Sequence, residues 1–214
     1  MKPALIFDLD GTLWDASVQV AESWNIVGRK YFGPDYFVSD EVVRGLMGKT
    51  MQEIAIALTP ENANPEIIND FVDECFYFER VYLQDHPGIP FPGEIDALLD
   101  LKKDFDLYIV SNCQSGYIEN FINIVPEGLF LGHRCWSDTQ KEKHFTIRLL
   151  MDDYGIEKAI YIGDTEKDET ATHLAGLPFV FAAYGFGTAK SPEATIHSLS
   201  ELKDVTLDLI KGLA

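Results

Sequence analysis

Short apolar runs of strand length alternate with segments of helical periodicity along the second half of the chain. One further apolar run opens the sequence. These runs, each expected to form a buried strand, occupy residues 5–7, 107–110, 159–162 and 179–182. Strands without a polar face are typical of a parallel sheet that helices cover on both sides. The pattern therefore predicts an α/β fold built on a doubly wound, Rossmann-like parallel sheet.

Helical periodicity predicts the elements that connect these strands. The expected helices of this part of the chain occupy residues 94–103, 116–123, 145–154, 168–175 and 199–213, and a further short strand is expected within residues 129–136. In a doubly wound sheet, ligands bind at the carboxyl ends of the strands. We therefore expect the polar side chains that follow each apolar run to form the functional site.

A block of predicted helices separates the first strand from the others. These helices are expected at residues 16–31, 40–47, 51–58 and 65–84, with Ser39 and Thr50 as N-caps of the second and third. Residues 86–93, with three prolines and two glycines, form the clearest boundary signal. We predict an α/β core formed by residues 1–14 and 85–214. Residues 15–84, here called the helical insert, would form a small cap domain over the strand ends.

Composition and charge narrow the classes of partner. With 214 residues and 46% hydrophobic content, the chain can bury a large core. Its formal net charge of −18, from 17 lysines and arginines against 35 aspartates and glutamates, would repel nucleic acids and anionic membranes. We therefore expect neither nucleic acid nor membrane as a partner. An anionic small substrate would have to be held by local positive groups.

Cysteine and histidine usage indicates a reducing environment without a zinc site. Cys75, Cys113 and Cys135 form no Cys-x-x-Cys pair and leave an odd count, so we expect buried free thiols. The five histidines are scattered and show no zinc-binding spacing. Neither a signal peptide nor an apolar stretch long enough for a bilayer is recognisable. These observations predict a soluble, cytoplasmic protein.

The first apolar run ends in two carboxylates, at Asp8 and Asp10, followed by Gly11. Residues i and i+2 of a strand point the same way, so both carboxylates would enter one small space and repel each other. A bound cation with oxygen ligands, typically magnesium, would compensate this repulsion. On these residues alone, a strand that simply runs into an Asp-Gly turn is an equally good interpretation.

Three further motifs follow in order along the chain. They are Ser111-Asn112 after a strand, a lysine upstream of the next strand, and Gly163-Asp164-Thr165-Glu166-Lys167-Asp168 after that strand. Together with Asp8-Leu9-Asp10-Gly11-Thr12, they resemble the haloacid dehalogenase-like (HAD) superfamily of phosphotransferases. The helical insert directly after the first motif is similar to the cap of the phosphoglycolate phosphatase and β-phosphoglucomutase branch.

The resemblance implies a role for each motif residue in phosphoryl transfer. Asp8 would be the nucleophile that forms an aspartyl phosphate, and Asp10 would donate and then accept the proton. Ser111 and Asn112 would bind the phosphate. Asp164 and Asp168, with Asp8 and the Asp10 backbone carbonyl, would bind Mg²⁺.

The position of the motif lysine is ambiguous because the Lys-Pro pair usual in the family is missing. Lys141 and Lys143 both precede the helix expected from residue 145, and either could neutralise the phosphate and the Asp8 carboxylate. Counting back from the end of that helix, members of the branch without the proline align better on Lys143. We therefore expect Lys143 to be the catalytic and phosphate-binding lysine, and Lys141 to be solvated.

The helical insert offers candidates for contacts with the nonreacting end of the substrate. Lys49 and Arg44 could bind it, or they could be solvated helix charges. Residues 48–50 superficially suggest a P-loop, but Val43 stands where that loop needs a glycine. The dense aromatic residues on the last insert helix, which are Phe76, Tyr77, Phe78 and Tyr82, are more typical of cap core than of a ligand cage.

The motifs favour a Mg²⁺-dependent phosphomonoester hydrolase that acts on a small phosphorylated metabolite, phosphoglycolate being the first candidate. A sugar-phosphate mutase similar to β-phosphoglucomutase is the alternative within the family. A receiver-type signalling module fits less well, because its phosphoacceptor lies on a later strand and it has no helical insert. A catalytically silent binding protein is disfavoured by the complete motif set. We expect a monomer or a homodimer.

Overall fold

The computed structural model of the chain describes residues 2–49 and 51–212. A six-stranded, all-parallel sheet forms its centre, with strand order β5-β4-β1-β6-β7-β8. The strands of this sheet are β1 (Ala4–Phe7), β4 (Asp106–Ser111), β5 (Gly132–Cys135), β6 (Ala159–Gly163), β7 (Phe179–Ala182) and β8 (Ala194–Ile196). Helices flank the sheet, and the predicted doubly wound α/β class is confirmed.

Strand β1 lies in the middle of the sheet and sets the position of the functional edge. It pairs with β4 on one side and with β6 on the other, and Phe7 lies opposite both Ile109 and Ile162. All residues of β1 are fully buried, because apolar side chains cover both faces. The residues that follow these three strands therefore meet at one edge of the sheet.

The helices of the core connect and cover the strands. They are α5 (Glu94–Leu101), α6 (Tyr117–Ile122), α7 (Trp136–Thr139), α8 (Lys143–Tyr154), α9 (Glu166–Leu174) and α10 (Leu202–Gly212). Helix α9 begins with a capping box in which the Thr165 hydroxyl accepts from the Asp168 N–H and Asp168 accepts from the Thr165 N–H. The turn after β6 is thereby fixed.

The helical insert contains α1 (Ser17–Phe32), α2 (Asp40–Arg44), α3 (Met51–Leu58) and α4 (Pro65–Asp85). Helix α1 packs along α4, and the Trp24 ring meets the Phe71 ring edge to face at 5.9 Å. Ser39 caps α2 by accepting from the Val42 N–H, as predicted, whereas Thr50 lies outside the described residues. The division into a core of residues 1–14 and 85–214 and a cap of residues 15–84 remains a prediction.

Three short strands were not expected. Strands β2 (Trp14–Asp15) and β3 (Ile89–Pro90) form an antiparallel ribbon where the chain leaves and re-enters the core. Two residues give too short a periodicity to recognise, and prolines normally mark an edge or a turn rather than a strand. Strand β8 has only three residues, and it is stabilised by parallel pairing with β7.

The buried and exposed residues agree with most of the sequence-based expectations. Cys75, Cys113 and Cys135 are free and buried, as predicted. Of the four aromatic residues predicted as cap core, Tyr77 is 61% exposed and does not belong to it, because it lies on the outer face of α4. No helix within the described ranges combines the length and apolarity that crossing a membrane requires.

Candidate active site

Five predicted site residues converge at the carboxyl edge of the sheet. Asp8 follows β1, Asp164 follows β6, and Ser111 is the last residue of β4. Lys143 opens α8, and Asp168 lies in the first turn of α9. All five are buried, with at most 5% of the residue surface exposed. The edge therefore places three carboxylates, one ammonium group and one hydroxyl in a small volume.

Lys143 bridges two of these carboxylates. Its Nζ lies 3.0 Å from Asp8 Oδ1 and 2.5 Å from Asp168 Oδ1. Burial alone would lower the pKa of Lys143, but the charges of Asp168 and Asp8 raise it well above the usual value, so the group stays cationic. Lys141, the other candidate, is exposed and lies over the Phe145 ring at 5.3 Å.

The three carboxylates form a group suited to a divalent cation. Asp8, Asp164 and Asp168 each offer an oxygen, and these atoms lie within 4.8 Å of one another. Asp164 Oδ2 accepts from the Phe186 N–H at 2.7 Å, whereas its buried Oδ1 has no hydrogen-bond partner among the described residues. A buried oxygen of this kind is costly unless a ligand satisfies it. The donor set fits a hard cation such as Mg²⁺, which prefers carboxylate oxygen.

The electrostatics of Asp8, Asp164 and Asp168 also favour a bound cation. Burial, followed by the charge of Asp168, raises the pKa of Asp8 to about 6 although Lys143 lowers it. Burial also raises the pKa of Asp164 well above its usual range, with Asp168 and Asp8 adding to the effect. The single ammonium group of Lys143 therefore does not compensate the carboxylates fully, and a bound dication would.

Two glycines enclose the Asp164 side chain. Gly11 has φ +76°, and a Cβ there would lie 2.2 Å from Asp164 Oδ2. A Cβ at Gly185 would lie 2.3 Å from Asp164 Cβ and 2.4 Å from the Gly11 carbonyl oxygen. Neither position can accept a side chain without moving the carboxylate. The motif glycine after Asp10 is thus needed for space as well as for its turn.

Asp10 has a different environment from Asp8. Its Oδ1 accepts from Trp14 Nε1 and from the Tyr117 hydroxyl, each at 2.9 Å. Burial and then the charge of Asp8 raise the pKa of Asp10 to about 7, although the two hydrogen bonds lower it. A carboxyl group with such a pKa can both give and take a proton near neutral pH. Sequence reasoning missed Tyr117, because nothing local links it to Asp10.

A small cavity of about 50 Å³ separates these residues from the helical insert. Asp8, Asp10, Ser111, Asn112 and Lys49 all line it. The Asn112 side-chain amide donates to the Gly48 carbonyl oxygen at 3.1 Å, so Asn112 ties the insert to the core. The predicted Lys49 thus lies at the cavity, together with the predicted phosphate-binding residues.

Arg44, the other predicted insert residue, is not among the described residues that line the cavity. Its Nη2 lies 3.0 Å from Asp15 Oδ2, and its Nε donates to the Ser17 hydroxyl at 3.0 Å. The guanidinium group therefore joins α2 to the base of the insert. In this arrangement the guanidinium group binds side chains of the protein, those of Asp15 and Ser17.

Glu79 is a cavity residue that sequence reasoning missed. It lies on α4, is 5% exposed, and accepts from Trp24 Nε1 at 2.5 Å and from Gln114 Nε2 at 3.0 Å. Burial raises the pKa of Glu79 to about 7, although both hydrogen bonds lower it. One sequence signal could have indicated that Glu79 is buried. It is an acidic residue on the apolar face of a predicted helix, since its i−4 and i−8 neighbours, Cys75 and Phe71, are apolar.

Comparison with known proteins places this geometry in context. A family model described as haloacid dehalogenase-like hydrolase matches residues 5–182. A phosphoglycolate phosphatase from Aquifex aeolicus is 26% identical over 207 residues, covering 92% of this chain and 93% of the relative. A haloacid dehalogenase-like hydrolase from Bacteroides fragilis superposes with a TM-score of 0.80 at 24% identity, covering 94% of this chain and 100% of that one.

A third comparison includes a sugar bisphosphate. A mutant of CbbY from Rhodobacter sphaeroides, crystallised with xylulose-(1,5)bisphosphate, superposes with a TM-score of 0.76 at 20% identity. The alignment covers 94% of this chain and 96% of that one. At this identity the similarity shows the shared fold.

Proposed function

Because the chain belongs to the haloacid dehalogenase-like hydrolase family and is a phosphatase-type hydrolase, we propose that it is a Mg²⁺-dependent phosphomonoester hydrolase. Its substrate would be a small phosphorylated metabolite, and the reaction would pass through an aspartyl phosphate. The observation that carries this proposal is the different environment of the two carboxylates after β1. Asp8 contacts the Lys143 ammonium group at 3.0 Å, whereas Asp10 is held by two neutral donors.

These environments support different roles in the first half-reaction. An Asp8 oxygen attacks phosphorus, and the bond between phosphorus and the leaving oxygen breaks. Asp10, with its pKa near 7, gives its proton to that leaving oxygen. Lys143 and the Ser111 hydroxyl bind the phosphoryl oxygens, so that the charge moving onto them is stabilised. The alcohol then leaves.

The second half-reaction releases the phosphate. A water molecule gives a proton to Asp10 and attacks phosphorus, and the bond between phosphorus and the Asp8 oxygen breaks. Asp8 returns to its carboxylate form, and Asp10 is protonated again for the next cycle. Asp8, Asp164, the Asp10 backbone carbonyl and, directly or through water, Asp168 would hold Mg²⁺, which when bound neutralises charge on the phosphoryl oxygens.

Phosphoglycolate is the first named substrate to test, because curated relatives such as that of Aquifex aeolicus carry this activity in their names. Lys49 lines the cavity and could bind the carboxylate of such an ester. A cytoplasmic location fits the three buried free thiols. The helical insert, residues 15–84, would serve as the cap that selects the ester.

The small size of the cavity supports one second candidate, a sugar-phosphate mutase. A cavity of about 50 Å³ holds only a few water molecules, so a sugar hydroxyl could compete with water for the phosphoryl group. The products distinguish the two outcomes. Hydrolysis releases inorganic phosphate and an alcohol, whereas transfer yields an isomeric sugar phosphate.

A panel of small phosphomonoesters tests the proposal. Purified protein is incubated with Mg²⁺ and each ester, including p-nitrophenyl phosphate, phosphoglycolate and hexose phosphates, and inorganic phosphate is measured. We expect release from at least one ester, and loss of that release in Asp8→Asn. The absence of phosphate and of isomerised product with every ester would overturn the proposal.

A further inference from the structure

A further buried carboxylate lines the cavity from the helical insert, on a different element from the three aspartates at the sheet edge. Glu79 lines the cavity from α4, whereas Asp8, Asp10 and Ser111 line it from the core. The donors that hold Glu79 are both neutral, the Trp24 indole N–H and the Gln114 amide. No lysine, arginine or histidine of the described chain forms an ion pair with it. Glu79 is therefore a buried acid without a cation.

The surroundings make this acid costly. The cavity that Glu79 lines is also lined by many apolar side chains, among them Val20, Val43, Leu46, Ile54, Leu58 and Phe76. A carboxylate in apolar surroundings loses hydration that two neutral hydrogen bonds replace only in part. The two bonds use one acceptor site on each oxygen, and a carboxylate has about four such sites. Because Glu79 lines the cavity, the remaining acceptor sites are available to a donor bound there.

We propose that Glu79 determines specificity by accepting a hydrogen bond from a hydroxyl or ammonium group on the alcohol part of the phosphate ester. Esters that carry a carboxylate at that place are disfavoured, because two like charges would be buried together. The substrate class is thus a phosphorylated alcohol with a second hydroxyl or an amino group. This inference rests on the proposed phosphatase function, and it places phosphoglycolate, the first named ester, below an ester that carries a hydroxyl or amino group.

Lys49 provides the competing explanation, because it lines the same cavity. If Lys49 bound a substrate carboxylate, the preferred ester would be phosphoglycolate and Glu79 would be only a structural anchor for Trp24 and Gln114. The two explanations predict opposite orders of substrate preference. If Glu79 were only a structural anchor, its substitution would change kcat/KM for all the esters by the same factor.

Four esters that share a phosphorylated CH₂ group and differ in what it carries test the inference. They are ethyl phosphate, 2-hydroxyethyl phosphate, 2-aminoethyl phosphate and phosphoglycolate. With Mg²⁺, we expect kcat/KM for the hydroxyethyl or aminoethyl ester to exceed that for phosphoglycolate by about tenfold or more, the range of one hydrogen bond to a charged group. The hydroxyethyl and aminoethyl esters separate a hydroxyl donor from an ammonium donor.

Substitution of Glu79 by glutamine is the decisive variant. Glu79→Gln should reduce the ratio of kcat/KM between the preferred ester and phosphoglycolate at least about tenfold, because it removes the charge and retains the volume. Asp73→Asn is the matched control, since Asp73 is an exposed acid on the same helix, and its ratio should equal that of the wild type. A preference for phosphoglycolate, or an unchanged ratio in Glu79→Gln, would overturn the inference.

Binding keeps the test independent of turnover. The dissociation constants of the four esters are measured by calorimetry on Asp8→Asn and on Asp8→Asn/Glu79→Gln with Mg²⁺. We expect the affinity ratio between the preferred ester and phosphoglycolate to be about tenfold or more in Asp8→Asn and to fall at least about tenfold in the double variant. An affinity ratio that is equal in the two proteins, or no binding of any of the esters, would overturn the inference. If every ester binds without being hydrolysed by the wild type, the phosphatase proposal fails and the specificity inference is judged by binding. If Glu79→Gln does not fold, Glu79→Asp withdraws the carboxylate by one CH₂ group, and its ratio decides in the same way.

Discussion

Lys143 Nζ lies 3.0 Å from Asp8 Oδ1, although 135 positions along the chain separate the two residues. The first residue of α8 thus neutralises the first residue after β1. The contact places a buried ammonium group beside the candidate nucleophile. It also favours Lys143 over Lys141 as the motif lysine.

We predict that Lys143→Met removes most activity and lowers stability. Two buried carboxylates, Asp8 and Asp168, would lose the one cation that pairs with them within the described ranges, and breaking a buried pair costs about 3–5 kcal/mol. Lys141→Met is the matched control and should behave like the wild type, because Lys141 is exposed. Phosphate release and denaturant unfolding measure the two effects, and equal losses in both variants would contradict the assignment.

Asp8→Asn should abolish turnover while the protein stays folded. The amide cannot form the acyl phosphate, yet it has nearly the same volume and reduces the repulsion among the buried acids. Asp106→Asn, at the opposite end of the sheet, should keep its activity. Phosphate release and circular dichroism provide the measurements, and normal turnover in Asp8→Asn would exclude this residue as the nucleophile.

Removal of divalent cations should stop the reaction reversibly. EDTA is expected to abolish phosphate release, and added Mg²⁺ should restore it and raise the melting temperature, since a ligand that binds only the folded state stabilises it. In Asp164→Asn, the recovery of phosphate release and the rise in melting temperature should both require a higher Mg²⁺ concentration, because one carboxylate of the buried group is lost. Full activity in EDTA-treated protein would contradict a metal requirement.

Stability should depend on pH through Glu94, a buried residue at the start of α5. Burial raises its pKa from 4.5 to about 9, although the Phe91 N–H lowers it. The folded state therefore keeps a proton that the unfolded chain releases above pH 4.5, and the free energy of unfolding falls as pH rises from about 5 to 9. The slope for one group is at most about 1.4 kcal/mol per pH unit.

Glu94→Gln isolates this contribution. The variant should lose that part of the slope and be more stable than the wild type at pH 8, while the two differ little near pH 4. Asp96→Asn, an exposed acid two positions along the same helix, should retain the wild-type slope. Urea unfolding between pH 4 and 9 measures all three proteins, and parallel curves for Glu94→Gln and the wild type would disprove the role of Glu94.

The sequence was sufficient to predict the sheet edge because its signals are local. An apolar run followed by a polar residue marks the end of each strand, and Asp8, Ser111 and Asp164 all lie at such ends. The parallel arrangement then requires these ends to meet. The pairing of β2 with β3 was missed, because two-residue strands depend on the partner that tertiary structure provides.

The side of the cavity that the helical insert forms could not be predicted either, because it depends on tertiary packing. Glu79 belongs to the cavity only because α1 and α4 pack together and present one face of α4 to the core. Arg44 shows the converse case. From the sequence, Arg44 could either bind the substrate or be a solvated helix charge, and in the structure its guanidinium group bonds to Asp15 and Ser17 once β2 and α1 are folded. Neither arrangement leaves a periodic or spacing signal in the sequence.

The hydrogen bond from Asn112 to the Gly48 carbonyl has a thermodynamic consequence. Asn112 follows Ser111 directly, so the residue expected to bind phosphoryl oxygens is joined by one peptide bond to a contact that holds the insert in place. A ligand that shifts Ser111 relative to the insert changes the strength of that contact. If Ser111 binds a phosphoryl oxygen, occupancy of that site and the position of the insert are linked functions, and each must alter the equilibrium of the other by the same free energy.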